Sequence, residues 1–280
     1  MPSFELHNLR AIDSLNQRGG RMLSMVDLVA AGTLSLDMAA ELAYVAANGG
    51  SFLTAAGPGG VGKTTLMGAA LAFLTPGTEI VAIEGPETLD TLHAPSAGRP
   101  QCLVVHEIGH GHFHGYLWGR DVGRYFDLTH APGRCLASNL HAQTYAEARD
   151  RLLGLPLGVS PEALGWIDAL AFMEAVRGKR RVVSLWTTDG TPALSKAGGS
   201  DGPPVGHRET WRWRPQDDTF EAIGPPAAET IAGTRGMTAE SVSREIGRLR
   251  TILESSLHEG ARPMEDLRNR TLREFFGRSL

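Results

Sequence analysis

Gly57-Pro58-Gly59-Gly60-Val61-Gly62-Lys63-Thr64 meets every constrained position of the pattern G-x-x-x-x-G-K-[ST]. Glycines at these places let consecutive backbone N–H groups converge on phosphate oxygens at the positive end of a following helix. Lys63 is then placed to reach the β- and γ-phosphates, Thr64 offers a hydroxyl to Mg²⁺, and Thr65 follows in the same turn. The chemistry this implies is binding of ATP with Mg²⁺. The alternative is a Gly-rich turn that matches by coincidence, and the flanks speak against it. Ser51 to Ala56 reads as a short buried strand, and Thr65 to Leu74 is small and apolar, as a helix packed on a sheet should be.

A competing constellation is His106-Glu107-Ile108-Gly109-His110, which satisfies H-E-x-x-H, with His112 and His114 close behind. In zinc proteases that pattern sets two histidines one helical turn apart on Zn²⁺, with the glutamate as general base. Here Gln101 to Val105 reads as a strand, and Gly109 and Gly111 break any helix. The extended form of the motif needs glycine at 113 and histidine at 116, where the chain has Phe113 and Tyr116. A metalloprotease is therefore the remote reading, and regulatory metal binding by the histidines stays open. His7, His93, His207 and His258 read most simply as surface residues.

The elements that must position these groups alternate between strand and helix. Ser35 can cap a helix from Leu36 to Ala47, ended by Asn48-Gly49-Gly50. Strands are expected at Glu79 to Ile83, Gln101 to Val105, Arg134 to Leu140, Ala169 to Val176 and Arg181 to Trp186. Apolar runs this continuous suit a parallel sheet covered on both faces, an α/β fold. Residues 190–208 are rich in Gly, Pro and Ser and read as a loop. A hairpin follows, Glu209 to Trp213 with Thr219 to Ile223. The tail is helical: Val242, Ile246, Leu249, Ile252 and Leu253 share one face, and Pro263 is placed to open a last helix.

Beyond the P-loop, several segments resemble the type II/IV secretion ATPases, the motors of pili, archaella and conjugation. Ile83-Glu84-Gly85-Pro86-Glu87-Thr88-Leu89 is similar to their Asp box, and Leu103-Val104-Val105-His106-Glu107-Ile108 to their Walker B strand. Ser138-Asn139-Leu140-His141-Ala142 with Glu147-Ala148 is similar to their His box, and Ile167-Asp168-Ala169 with Gly178 to Val183 to the strand pair that ends the core. The resemblance implies a RecA-like P-loop core over 27–224, a preceding arm over 1–26 and a helical C-terminal subdomain over 225–280. It implies that Glu84 activates the attacking water, that Glu107 serves the Mg²⁺ shell with Thr64, and that His141 senses the γ-phosphate; Glu87 is a weaker candidate. For Glu84 and Glu107 the alternative is a solvated strand-end carboxylate, and for His141 a hydrogen-bonded strand-end histidine. The family borrows arginines from adjoining subunits, for which Arg120, Arg124, Arg134 and Arg180 are available. The chain departs from the pattern where Gly85 replaces an aspartate and His106 a glycine. Only Met1 to Val26 precede the core, too little for the N-terminal domain those motors carry.

Composition bounds the rest. With 280 residues, a net charge of −4 and a pI near 6.2, nothing global points to nucleic acid or an anionic membrane. Cys102 and Cys135, the only cysteines, sit in apolar stretches and read as reduced, which with the lack of a leader-like segment suggests a cytoplasmic protein. Two function classes follow. One is a Mg²⁺-dependent ATPase acting as a homo-oligomer, a hexamer in the family, against a membrane-embedded secretion or pilus-like machine. The other is a nucleotide-binding switch or assembly factor with little hydrolysis, which the altered Asp box favours slightly.

Overall fold

The computed structural model describes residues 3–16, 19–57, 59–92, 99–111, 114–189 and 206–278. In chain order the first elements are α1 (Ser3–Ser14), α2 (Met25–Ala30), α3 (Leu36–Ala47), β1 (Ser51–Ala56), α4 (Lys63–Leu71), β2 (Glu79–Ile83), α5 (Pro86–Thr91), β3 (Gln101–Ile108), β4 (Tyr116–Leu117) and α6 (Arg120–Asp127). They are followed by β5 (Arg134–His141), α7 (Tyr145–Leu153), α8 (Pro161–Gly165), β6 (Ile167–Val176), β7 (Lys179–Thr188), β8 (His207–Arg214), β9 (Thr219–Ala222), α9 (Ala227–Arg235), α10 (Ala239–His258) and α11 (Met264–Glu274). The strands form one sheet in the order β2-β3-β5-β1-β6-β7-β8-β9, with short β4 against β3. Pairing is parallel from β2 through β6 and antiparallel from β6 through β9. This is a mixed α/β, RecA-like arrangement with helices at its C-terminal end.

The continuous apolar runs reflect burial on both faces. Along β1, Phe52 and Ala56 enter one core while Leu53 and Ala55 enter the other. β3 divides Cys102 and Val104 from Leu103 and Val105 in the same way, as the two-residue period of a strand requires. On the first face α3 buries ten of its twelve residues, many of them alanine, so its backbone lies close to the sheet. Ser35 caps it by accepting from the Met38 N–H. Cys102 and Cys135 are register neighbours on β3 and β5, buried and free.

The strand runs at Ala169–Val176 and Arg181–Trp186 do not both belong to a parallel sheet, as their apolar character suggested. β6 is parallel to β1, but β7 turns straight back on it. The reason is Arg177-Gly178, whose φ angles of 50° and 79° make a two-residue turn that matches strand twist. The β8–β9 hairpin then extends the same sheet. Of the loop expected at 190–208, residues 190–205 lie outside the described residues, while His207 and Arg208 already belong to β8.

The N-terminal segment packs onto the core through α1. Ile12 is buried against Gly68 of α4, and Asn8 donates to the Thr78 carbonyl while accepting from the Ile80 N–H. From α11, Arg268 donates to Glu5 at 2.9 Å and to the Ala72 and Leu74 carbonyls, with both charged side chains almost fully buried. Removing one partner of a buried pair strands the other charge. Arg268→Ala should therefore cost about 3–5 kcal/mol in urea unfolding. A loss under about 1 kcal/mol, the range of an exposed pair, would show that the clasp contributes little.

Candidate functional site

Parallel strands carry their carboxyl ends to one edge of a sheet, and helices that follow them present free N–H groups there. β1, β3 and β5 therefore bring the P-loop, Glu107 and His141 together, although these segments are far apart in sequence. They border a cavity of about 590 Å³ lined by Gly59, Gly60, Gly62, Lys63, Thr64 and Thr65 of the loop. Gly57 and Val61 complete the described part of the loop, with Val61 buried; Pro58 lies outside the described residues. Gly62 precedes α4 with φ of 103°, a left-handed conformation that an L side chain adopts only with strain. At Gly57 a Cβ would lie 2.4 Å from the Gln143 side chain, which would have to swing aside for any other residue.

Lys63 is buried, and its Nζ lies 3.2 Å from Glu107 Oε2. The other carboxylate oxygen, Oε1, is buried without a hydrogen-bond partner and faces His141 Nε2 at 3.9 Å. Burial pushes the Glu107 carboxyl up, while Lys63 and His141 pull it back. His141 Nδ1 is 3.1 Å from the Gly57 carbonyl and 3.4 Å from Lys63 Nζ, so the ring bridges loop and lysine. The geometry is that of a buried cation and carboxylate lining the cavity.

Asn139 was not singled out among the site residues, yet it organises them. Fully buried, it donates to Thr64 Oγ1 at 3.0 Å and to the His106 carbonyl at 2.6 Å, and it accepts from Thr54. One amide thus fixes the P-loop threonine to β3 and β1. The available signal was its position: the Leu103-Val104-Val105 and Leu136-Ala137-Ser138 strands are otherwise apolar or small, and a buried Asn must be satisfied.

His106 lies beside Glu107 and lines the cavity, its ring stacked on Tyr116 at 5.9 Å. It bonds to the Leu15 backbone, and burial, with Lys63 and His114 adding, holds its pKa below the usual histidine value. This side chain ties β3 to the backbone of Leu15. Leu15, Asn16, Gly19, Arg21, Met22 and Leu23 form one side of the cavity, a contribution that no local pattern announces. Because His106 and Glu107 lie on a strand, H-E-x-x-H does not set its histidines one helical turn apart. Among the described residues no group of three or more His, Cys, Asp or Glu side chains gathers to hold a metal; His112 lies outside them.

Glu84 stands at the end of β2 with its side chain 62% exposed, 3.8 Å from His114 Nε2, and it is not among the cavity-lining residues. Glu87 folds back over Gly85: a Cβ at Gly85 would sit 2.5 Å from Glu87 Oε1, so a side chain there would displace the exposed Glu87 carboxylate. Of the arginines, Arg180 lines the cavity, Arg124 pairs with Asp90 and Asp121, and Arg134 bonds Gln101 at the start of its strand. Arg120 opens α6 away from the lining.

His207 is not a surface residue. It is buried, with Nε2 2.7 Å from the Ile167 carbonyl and Nδ1 3.1 Å from the Tyr145 hydroxyl, and burial lowers its pKa. Its partners are 40 and 62 residues away, so no local pattern could place it inside. His7 and His258 are exposed as expected, and His93 lies outside the described residues.

No protein-family model and no curated protein matches the chain. Among solved structures it is similar to the VirB11 ATPase of the Brucella suis type IV secretion system, determined in complex with sulphate. Identity is 15% and the TM-score 0.38, over 67% of this chain and 64% of that one, so the chain spans less than two thirds of that protein. Among the described residues no helix is long and apolar enough to cross a membrane.

Proposed function

We propose that this chain binds ATP with Mg²⁺ and hydrolyses it, in the manner of a secretion-ATPase-like P-loop protein. The observation that carries the reading is the Lys63–Glu107 pair lining the cavity, with His141 bridging it to the loop. A polyphosphate brings the negative charge that would draw Lys63 off Glu107 and release that carboxylate. The residues present fit Mg²⁺: the Thr64 hydroxyl and the orphaned Glu107 Oε1 are hard oxygen donors of the kind it takes. Bound there, Mg²⁺ would neutralise phosphate charge. The chain's own part is to hold the phosphates on the loop amides and Lys63, to orient Thr64 through Asn139, and to keep Glu107 poised beside them.

A specific observation favours the second reading, a switch with little hydrolysis. Glu84 is exposed and outside the lining, so a water-activating role for it requires β2 and α5 to move toward the loop. Steady-state phosphate release from Mg²⁺–ATP across a range of protein concentrations separates the readings. Turnover that rises with concentration supports an oligomeric motor, and turnover near background with intact binding supports the switch. A homo-oligomer and a membrane-embedded secretion or pilus-like partner belong to the motor reading.

A further inference from the structure

Among the described residues, Lys63, Arg21 and Arg180 are the lysine and arginines that line the cavity, and the first two are committed. Lys63 faces Glu107, and Arg21 forks onto both oxygens of Asp27 at 2.7 and 3.0 Å. Arg180 has no carboxylate partner among the described residues. Its stem nevertheless lies on the P-loop: a Cβ at Gly62 would sit 3.3 Å from Arg180 Cδ and 3.9 Å from Nε. The tight Arg177-Gly178 turn fixes this placement, since it sets Arg180 in register with Ala175 of β6. Strand alternation does the rest. The next residue, Arg181, is buried and gives its guanidinium to Asp218, leaving Arg180 to the cavity.

A guanidinium is a planar fork that matches two phosphate oxygens at once. Held against a phosphate-binding loop without a carboxylate to abandon, it meets an incoming polyanion at little cost. We propose that Arg180 binds the phosphate chain of a nucleotide seated on the P-loop of its own chain, so that this cation is supplied in cis rather than by a neighbouring copy. The inference rests on the nucleotide reading above and goes beyond it by naming the residue and the chain it serves.

Calorimetric titration of the full chain with Mg²⁺–ADP and Mg²⁺–ATP, at concentrations where sedimentation reports a monomer, tests it. Arg180→Gln should weaken both nucleotides at least ~10-fold, and Arg180→Lys less, because a point charge replaces the fork. Arg177→Gln, on the same hairpin but outside the cavity lining, should bind like wild type. An equimolar mixture of Arg180→Gln and Lys63→Ala chains should bind no better than the two measured apart. Wild-type affinity in Arg180→Gln, or affinity regained in the mixture, would overturn the cis assignment while leaving the nucleotide site standing. Failure of wild type to bind either nucleotide would overturn both.

Discussion

Lys63→Ala should lose measurable affinity for ATP and ADP while the chain stays folded. The lysine supplies charge-assisted contacts to phosphate, each worth about 1.5–3 kcal/mol, so losing two of them weakens binding by roughly 10² or more. Its absence also leaves Glu107 buried with only His141 of its two basic neighbours, and the carboxyl then favours its protonated form more strongly. A carboxyl with a folded pKa above its unfolded one contributes stability that is complete below the unfolded pKa and lost as pH rises through the folded one. Unliganded Lys63→Ala should accordingly lose more stability than wild type on going from acid to neutral pH. In wild type, nucleotide should raise the melting temperature by mass action, by about 2.7 kcal/mol of stabilisation at a hundred times the dissociation constant. A wild-type melting temperature unmoved by both nucleotides with Mg²⁺ would sink the P-loop reading.

Glu107→Gln should lower phosphate release at least ~100-fold and leave Mg²⁺–ATP affinity within several-fold of wild type, the order lost when one preorganised electrostatic group beside the reacting atoms is removed. Glutamine keeps the size of the side chain but has neither charge nor basicity, and it no longer holds Lys63 in competition with phosphate. Glu84→Gln is the comparison that matters. With its carboxylate 62% exposed and outside the lining, it should lower turnover less than Glu107→Gln does. An equal loss from Glu84→Gln, with affinity retained, would support the water-activating role of Glu84 and require closure of that edge over the loop.

The parts of the site legible in sequence are those whose signals are local. The P-loop is a contiguous motif, and β1, β3 and β5 are contiguous apolar runs whose ends mark where Lys63, Glu107 and His141 must lie. The helix Leu36–Ala47 coincides with its expected span because its cap and its Gly stop are adjacent to it. What was not legible depends on partners distant in the chain. Burial of His207 needs the Ile167 carbonyl and Tyr145, and the role of Asn139 needs Thr64 and the His106 carbonyl. The reversal at β7 did carry a local signal, Arg177-Gly178, but an arginine at a left-handed position is an uncommon way to write that turn.

Leu15, Asn16, Gly19, Arg21, Met22 and Leu23 share the cavity with the loop, and Met22 and Ile12 both lie within 3.4 Å of where a Cβ on Gly68 of α4 would be. That fit has an evolutionary corollary. A leading segment that merely trailed from a motor could be exchanged or shed by recombination without touching the chemistry. Here a crossover just ahead of α2 would set a foreign wall against the native phosphate loop, and such a chimaera is expected to bind nucleotide more weakly than either parent.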